Sequence, residues 1–342
     1  MSVSLNPESR PGAPGPNPGR VLLTDLPWGN TDIERAGLAA AGAEIVLAPN
    51  GEESTLVAHA QGVDAIATCW AHVTARVLDA APDCRIVARF GIGLDNIDVA
   101  AATERGILVT NVPDYCVQEV ADHTLALLLA LARNVAFFHV RTKRGEYDLP
   151  AGPTIHRLST QTLGLIGLGR IGRAVAQRAR ALGMTVIAHT HSGNDHGAGC
   201  EMLDLPSLLA RSDYVSLHVP ATPETQHLLN AATLAKLRPG ARIINTSRGA
   251  LIDPTALWDV LQNGRVSAAA LDVFEPEPPD LEHPLYRDER VIVTPHTAFV
   301  SAESVEELRH RVVAQIVAVL RGVTPENVVN PEVLRGRGGR LA

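Results

Sequence analysis

From residue 20 onward, short and nearly continuous apolar runs alternate with Ala-rich stretches of helical period. The runs at 21–23, 44–47, 65–67, 85–88 and 106–109 enclose segments whose pattern predicts helices over 32–41 and 74–80. A strand buried on both faces reads as an unbroken apolar run, so the alternation predicts parallel sheet covered by helices on either side. After Pro113-Asp114 one long helix is expected over 117–138. Its Val117, Val120, Leu125, Leu128, Leu129 and Leu131 cover more than one face, as in an element packed between domains or subunits. A second series of runs follows at 163–166, 185–188, 213–217, 241–245, 268–271 and 291–293, enough for a complete doubly wound sheet, and an amphipathic helix is expected over 302–320. The fold class is α/β with two doubly wound parallel-sheet domains, in line with a length of 342 residues.

Composition adds exclusions. Residues 1–19 carry five prolines and three glycines with little that is apolar, and are expected as a disordered tail. Thirty Lys and Arg against 37 Asp and Glu leave a net charge of −7, which argues against sequence-independent binding to nucleic acid. The longest apolar run, 125–132, is far short of the roughly 20 residues that span a bilayer, so no membrane partner is expected. The chain opens without a basic, then apolar, secretory pattern, and Cys69, Cys84, Cys116 and Cys200 show no paired spacing, which together point to a reducing cytoplasm. His72 and His123 have no spaced partners, so both are read as structural histidines and no metal is expected.

Gly167-Leu168-Gly169-Arg170-Ile171-Gly172 follows the run at 163–166 and opens a helix expected over 173–182. Glycine suits such a turn because a pyrophosphate must approach the backbone without meeting a Cβ, while the helix N-terminus offers free N–H groups and a positive dipole. The spacing therefore points to a dinucleotide. The acid that would hold the ribose hydroxyls is expected about 20 residues on. There the chain reads His189-Thr190-His191-Ser192, and Asp195 comes late for that role. With no carboxylate to repel a 2′-phosphate, Thr190 and Ser192 can donate to one, yet no Lys or Arg lies between Arg180 and Arg211 to clamp it. NAD and NADP both stay open.

Three polar segments, 245–249, 271–278 and 294–299, follow runs of the second series. The C-terminal ends of strands face the ligand crevice of an open parallel sheet, so Arg248, an acid and His296 should converge there. An Arg fork suits a carboxylate, and a histidine beside an acid serves as proton donor or acceptor near neutrality.

These segments, with the glycine loop and His218-Val219-Pro220 followed by 225–230, resemble in order the signatures of the D-isomer-specific 2-hydroxyacid dehydrogenases, the family of phosphoglycerate, glycerate and glyoxylate/hydroxypyruvate enzymes and of the C-terminal binding proteins. The resemblance covers nearly everything after the tail. It implies a flavodoxin-like substrate domain of 20–113 plus 303–335, into which a Rossmann cofactor domain, 114–302, is inserted. It implies that Arg248 holds the substrate carboxylate and polarises the keto group, that His296 exchanges the proton, and that Glu277, the acid immediately before Pro278, tunes His296 while Glu275 stays on the surface. Gly167, Gly169, Arg170, Ile171, Gly172, Thr190, Val219, Pro220, Thr246 and Asp272 are then the cofactor-binding positions, with Asp272 at the nicotinamide amide. Ile92 and Gly93 lie in a loop, 90–98, that resembles the one whose amides grip the substrate carboxylate.

The implied activity is an NAD(P)-linked dehydrogenase acting between a small 2-keto acid and its D-2-hydroxy acid, in a homodimer. Thr68 stands where phosphoglycerate enzymes carry a phosphate-binding Arg, and the chain lacks their regulatory domain, so 3-phosphoglycerate is not expected. Trp70 either walls a small apolar pocket or belongs to the core, and Phe299 matches the aromatic that C-terminal binding proteins place beside substrate. The alternative is a dinucleotide-sensing interaction protein like those relatives. The formate-dehydrogenase branch replaces the acid partner of its histidine with Gln, whereas Glu277 is present here.

Overall fold

The computed structural model describes residues 19–335. The expected tail lies outside the described residues except for Gly19, which opens the first strand. The chain divides into two compact units, one made of the residues up to Pro113 with those from Glu306 onward, the other of Asp114–Val305.

In the first unit β1 (Gly19–Leu23), β2 (Ala43–Leu47), β3 (Ala65–Thr68), β4 (Ile86–Arg89) and β5 (Leu108–Thr110) form a parallel sheet in the order β2-β1-β3-β4-β5. This is the flavodoxin-like order. β3 and β4 are buried along their whole length, which is why their runs are unbroken. A distant segment completes the β5 edge: Asn330 Oδ1 accepts from Val109 N at 2.8 Å, and its Nδ2 donates to Ile107 O at 2.9 Å.

In the second unit β6 (Thr162–Ile166), β7 (Thr185–His189), β8 (Glu201–Met202), β9 (Tyr214–Leu217), β10 (Ala241–Asn245), β11 (Val266–Leu271) and β12 (Val291–Val293) form a seven-stranded sheet in the order β12-β11-β10-β9-β6-β7-β8, parallel throughout. Counted from β6, this is the Rossmann order with one strand added at the far edge. β8 was not expected, because two residues, one of them an exposed glutamate, make no apolar run.

The expected single helix over 117–138 is instead two, α1 (Val117–Ala132) and α2 (Val135–Lys143), bent by 62°. The break is Asn134, held at φ +53, where its Nδ2 donates to Pro153 O at 2.6 Å. A left-handed residue ends a helix, and asparagine tolerates that conformation better than most side chains. α1 runs along α3 (Arg170–Ala181), where Arg178 reaches Asp122 at 2.6 Å. The last long helix, α4 (Ala302–Leu320), has the expected limits. No single helix among the described residues is long and apolar enough to cross a membrane.

Candidate active site

β6 leads into the glycine turn at the point where the strand order reverses, between β6 and β9. Gly167 has φ +99, and a Cβ there would lie 2.3 Å from His218 O. No other residue fits this passage. Gly169 precedes α3, whose N-terminus carries no side-chain cap, and a Cβ on Gly169 would meet nothing within 4 Å. Arg170, exposed, and Ile171 form the first turn of α3, with Gly172 buried behind them. An open, uncapped helix N-terminus with its positive dipole end fits the pyrophosphate of a dinucleotide.

Val219 closes one side of this turn, its Cγ1 2.9 Å from where a Cβ of Gly167 would stand. The exposed Pro220 comes next, its carbonyl accepting from Thr225 Oγ1 at 2.7 Å. Burial pushes the His218 imidazole down to about 4, so it is neutral, and its Nε2 lies 2.9 Å from Ser216 Oγ. Thr190 follows β7 directly beside the turn, since Gly167 N donates to His189 O at 2.9 Å. The Thr190 hydroxyl donates within its own loop, to Asn194 O at 3.2 Å, rather than standing free for a phosphate. Asp195 accepts from Gly197 N and Gly199 N, and those bonds hold its carboxyl below the usual range; it is a turn-capping residue.

After β10, Asn245 shapes the next turn: its Oδ1 accepts from Ser247 N at 3.0 Å and its Nδ2 donates to Arg248 O at 2.8 Å. Thr246 is buried there, its hydroxyl 2.9 Å from that of Thr124 on α1. Gly249 permits a backbone crossing, because a Cβ on it would lie 1.9 Å from Phe274 C and 2.2 Å from Phe274 O. Arg248 is thereby brought near Glu277. Burial works against the Glu277 charge, but the His296 hydrogen bond and charge, the Phe274 N–H and the Arg248 charge outweigh it and hold the carboxyl below its ordinary value. Glu277 Oε2 is 2.7 Å from His296 Nδ1, and Oε1 accepts from Phe274 N at 2.8 Å. Glu275 is exposed.

His296 itself stands at φ +51, a conformation that costs energy unless its surroundings impose it. They do: His296 N donates to Asp272 O at 2.8 Å and to Thr294 O at 3.0 Å. The Asp272 carboxylate, expected at the nicotinamide, gives itself to this turn and accepts from Thr294 Oγ1 at 2.6 Å and from Thr297 N and Ala298 N, each at 2.9 Å. Phe299 sets its ring edge-on to His296 with centroids 6.1 Å apart, and Tyr115 packs on Phe299 in turn. His123 on α1 reaches the same turn, its Nε2 3.2 Å from Thr294 Oγ1.

In the first unit, Ile92 and Gly93 lie in a loop in which three successive carbonyls, those of residues 90–92, are tied to neighbours. Phe90 O accepts from Arg89 Nη1, Gly91 O from Val112 N at 3.0 Å and Ile92 O from Asn111 Nδ2 at 2.8 Å. Asn96 braces the loop from within, accepting from Arg89 Nε at 3.1 Å and donating to Ala71 O at 2.9 Å. The N–H groups of Ile92 and Gly93 meet no acceptor among the described residues. Thr68 is buried with its hydroxyl donating to Ala71 O, so it offers nothing to a phosphate. Trp70 is 42% exposed, which removes the reading as a core side chain.

Arg248, Glu277, His296, Asp272 and Phe299 are thus one cluster, and Gly167 to Gly172 with Val219 and Thr190 another. Arg89, Asn111, Tyr115 and His123 were not expected at either the loop or the histidine. Their signal is tertiary, since each acts through a partner that no local pattern announces.

Comparison with known proteins matches residues 125–298 to the family described as D-isomer specific 2-hydroxyacid dehydrogenase, NAD binding domain. A glyoxylate reductase of Korarchaeum cryptofilum is 40% identical over 78% of this chain and 82% of its own. A D-3-phosphoglycerate dehydrogenase of Methanocaldococcus jannaschii is 43% identical over 79% of this chain, which spans about half, 52%, of that relative's length. Among solved structures, D-lactate dehydrogenase from Aquifex aeolicus, complexed with NAD and lactic acid, superposes with a TM-score of 0.81 at 28% identity, over 93% of this chain and 98% of the other.

Proposed function

Because the chain belongs to the D-isomer specific 2-hydroxyacid dehydrogenase family, we propose that it reduces a small, unphosphorylated 2-keto acid of the glyoxylate or hydroxypyruvate class to the D-2-hydroxy acid. The cofactor is NAD or NADP, and when bound it supplies the hydride. The reading is carried by the 2.7 Å contact of His296 Nδ1 with Glu277 Oε2 beside Arg248.

With Nδ1 turned to Glu277, Nε2 is the nitrogen assigned to pass a proton to the substrate oxygen. Arg248 offers a fork to the substrate carboxylate and polarises the keto oxygen. Phe299 keeps water from the edge of the imidazole. In the first unit Trp70, Ile92 and Gly93 are assigned to substrate, the two unused amides being a receptor for a carboxylate. The buried Thr68 supports an unphosphorylated substrate.

A homodimer is the proposed assembly. Tyr147 is 98% and Leu149 83% exposed, and Val135 and Val140 on α2 are exposed as well; apolar side chains left at the surface fit a contact between copies. Sedimentation of the wild type against a Tyr147→Ser/Leu149→Ser variant tests it. Cys69, Cys84, Cys116 and Cys200 are all buried thiols, which supports the reducing cytoplasm as the site of action.

The deciding experiment measures rates for glyoxylate, hydroxypyruvate, pyruvate and a phosphorylated keto acid with NADH and with NADPH. Turnover of the unphosphorylated acids at roughly 1–1000 per second is expected for a metabolic enzyme. Preference for the phosphorylated acid overturns the substrate class, and the absence of turnover with every acid favours a sensing role.

A further inference from the structure

Asp272 is fully buried at the end of β11, and within the second unit no Lys or Arg hydrogen-bonds or pairs with it among the described residues. A buried carboxylate needs donors, and this one takes them from the turn that carries His296. Leu271 O holds Thr294 N at 3.0 Å, Asp272 O holds His296 N, and the carboxylate holds the Thr294 hydroxyl, Thr297 N and Ala298 N. Pro295 has no N–H to give. The left-handed histidine is therefore held through its neighbours on both sides.

His123 stands behind this arrangement. Its side chain is 24% exposed, and its Nε2 is 3.2 Å from Thr294 Oγ1 and 3.6 Å from Asp272 Oδ1. Thr294 has one hydroxyl hydrogen, which goes to Asp272, so Thr294 Oγ1 accepts from His123 and the imidazole carries its hydrogen on Nε2. The chain of bonds runs from His123 to Thr294 to Asp272 and from there to the amides of the turn.

We propose that His123 is a positioning residue for His296: by donating to Thr294 it fixes the hydroxyl on Asp272 and so fixes the turn from which the imidazole projects. This rests on the reading of His296 as proton donor. The side chain that matters is one that places an N–H where Nε2 now stands. Gln reaches that point with its amide nitrogen, whereas Leu fills the volume and donates nothing.

The test compares His123→Leu, His123→Gln and Thr294→Val. Amide hydrogen exchange at Thr297 and Ala298 reads the turn directly, whatever reaction the protein performs. Exchange should rise in His123→Leu and in Thr294→Val and stay near wild type in His123→Gln. In keto-acid reduction His123→Leu should lose about tenfold to a hundredfold in kcat, the scale of a misplaced catalytic group, with the KM for the keto acid and the Kd for NADH little changed. Adding His123→Leu to Thr294→Val should cost no more than Thr294→Val alone, because both break one chain. Unchanged exchange in His123→Leu, or equal loss in the Leu and Gln variants, overturns the proposal. Full activity in a His296→Asn variant overturns the reading of His296 instead, and leaves the exchange result to decide the role of His123.

Discussion

Glu277 meets His296 at 2.7 Å with one carboxylate oxygen and anchors the other on the Phe274 amide, so the acid is itself held in place while it holds the imidazole. A carboxylate kept below its ordinary value stays ionised through the neutral range. Glu277→Gln removes that charge but keeps the shape. Keto-acid reduction in this variant should be slower than in the wild type, with kcat/KM as the measurement, because the imidazole loses its charged anchor. The same depressed carboxyl stabilises the fold above about pH 4.3, its unfolded value, and that contribution disappears as pH falls through the lowered value. Acid titration of the wild type should therefore show a loss of stability that the Gln variant lacks.

Arg248→Ala should cost several kcal/mol of transition-state stabilisation, about 3–5, because a charged bidentate contact is removed together with polarisation of the keto group. Arg248→Lys restores charge without the fork and should recover only part. Steady-state kcat/KM is the readout; an Ala variant of wild-type efficiency would remove Arg248 from the mechanism.

Gly249→Ala is expected to be damaging although it adds a single methyl. The new carbon would overlap the Phe274 carbonyl carbon, which is backbone and has little room to yield. Overpacking of this kind costs about 1–3 kcal/mol. A lower Tm should come with a lower kcat, since relief of the clash separates Arg248 from Glu277.

Burial keeps His218 neutral down to about pH 4, below the value near 6.5 that an unfolded chain would show. A depressed group adds stability above its unfolded value and loses it as pH falls toward the folded one. Stability should decline between pH 6.5 and 4 in the wild type. His218→Gln should flatten that part of the curve in urea titrations made across the range.

Thr190→Asp should tighten NAD and weaken NADP by about 1–3 kcal/mol, through a charged acceptor for the ribose hydroxyls and repulsion of a 2′-phosphate. Equilibrium binding of both reduced cofactors measures it. A wild type that already rejects NADPH a thousandfold would mean that a group other than Thr190 meets the ribose.

Much of this arrangement is legible in the chain because the physics that produces it is local. Strands buried on both faces are apolar over most of their length, so β3, β4 and β6 declare themselves, and the turn beneath His218 must be glycine. Arg248, Glu277 and His296 are readable by their motifs. The break at Asn134 is not, since no Gly or Pro marks it and a bond to Pro153 in a later loop sets its conformation. Thr190 is readable as a position, but the direction of its hydroxyl depends on Asn194 O. His123 is the least visible, because Thr294, which gives it a role, lies 171 positions away.

The loop at Ile92 and Gly93 presents main-chain amides and ties the carbonyls of Gly91 and Ile92 away with Val112 and Asn111. A receptor built of backbone is written in no particular side chain. Substitution at 92 or 93 can reshape the neighbouring surface while the grip on an anion persists, and only proline, which lacks the N–H, deletes a donor outright. Such a surface can drift among substrates over evolutionary time without passing through variants that have lost the ability to bind a carboxylate.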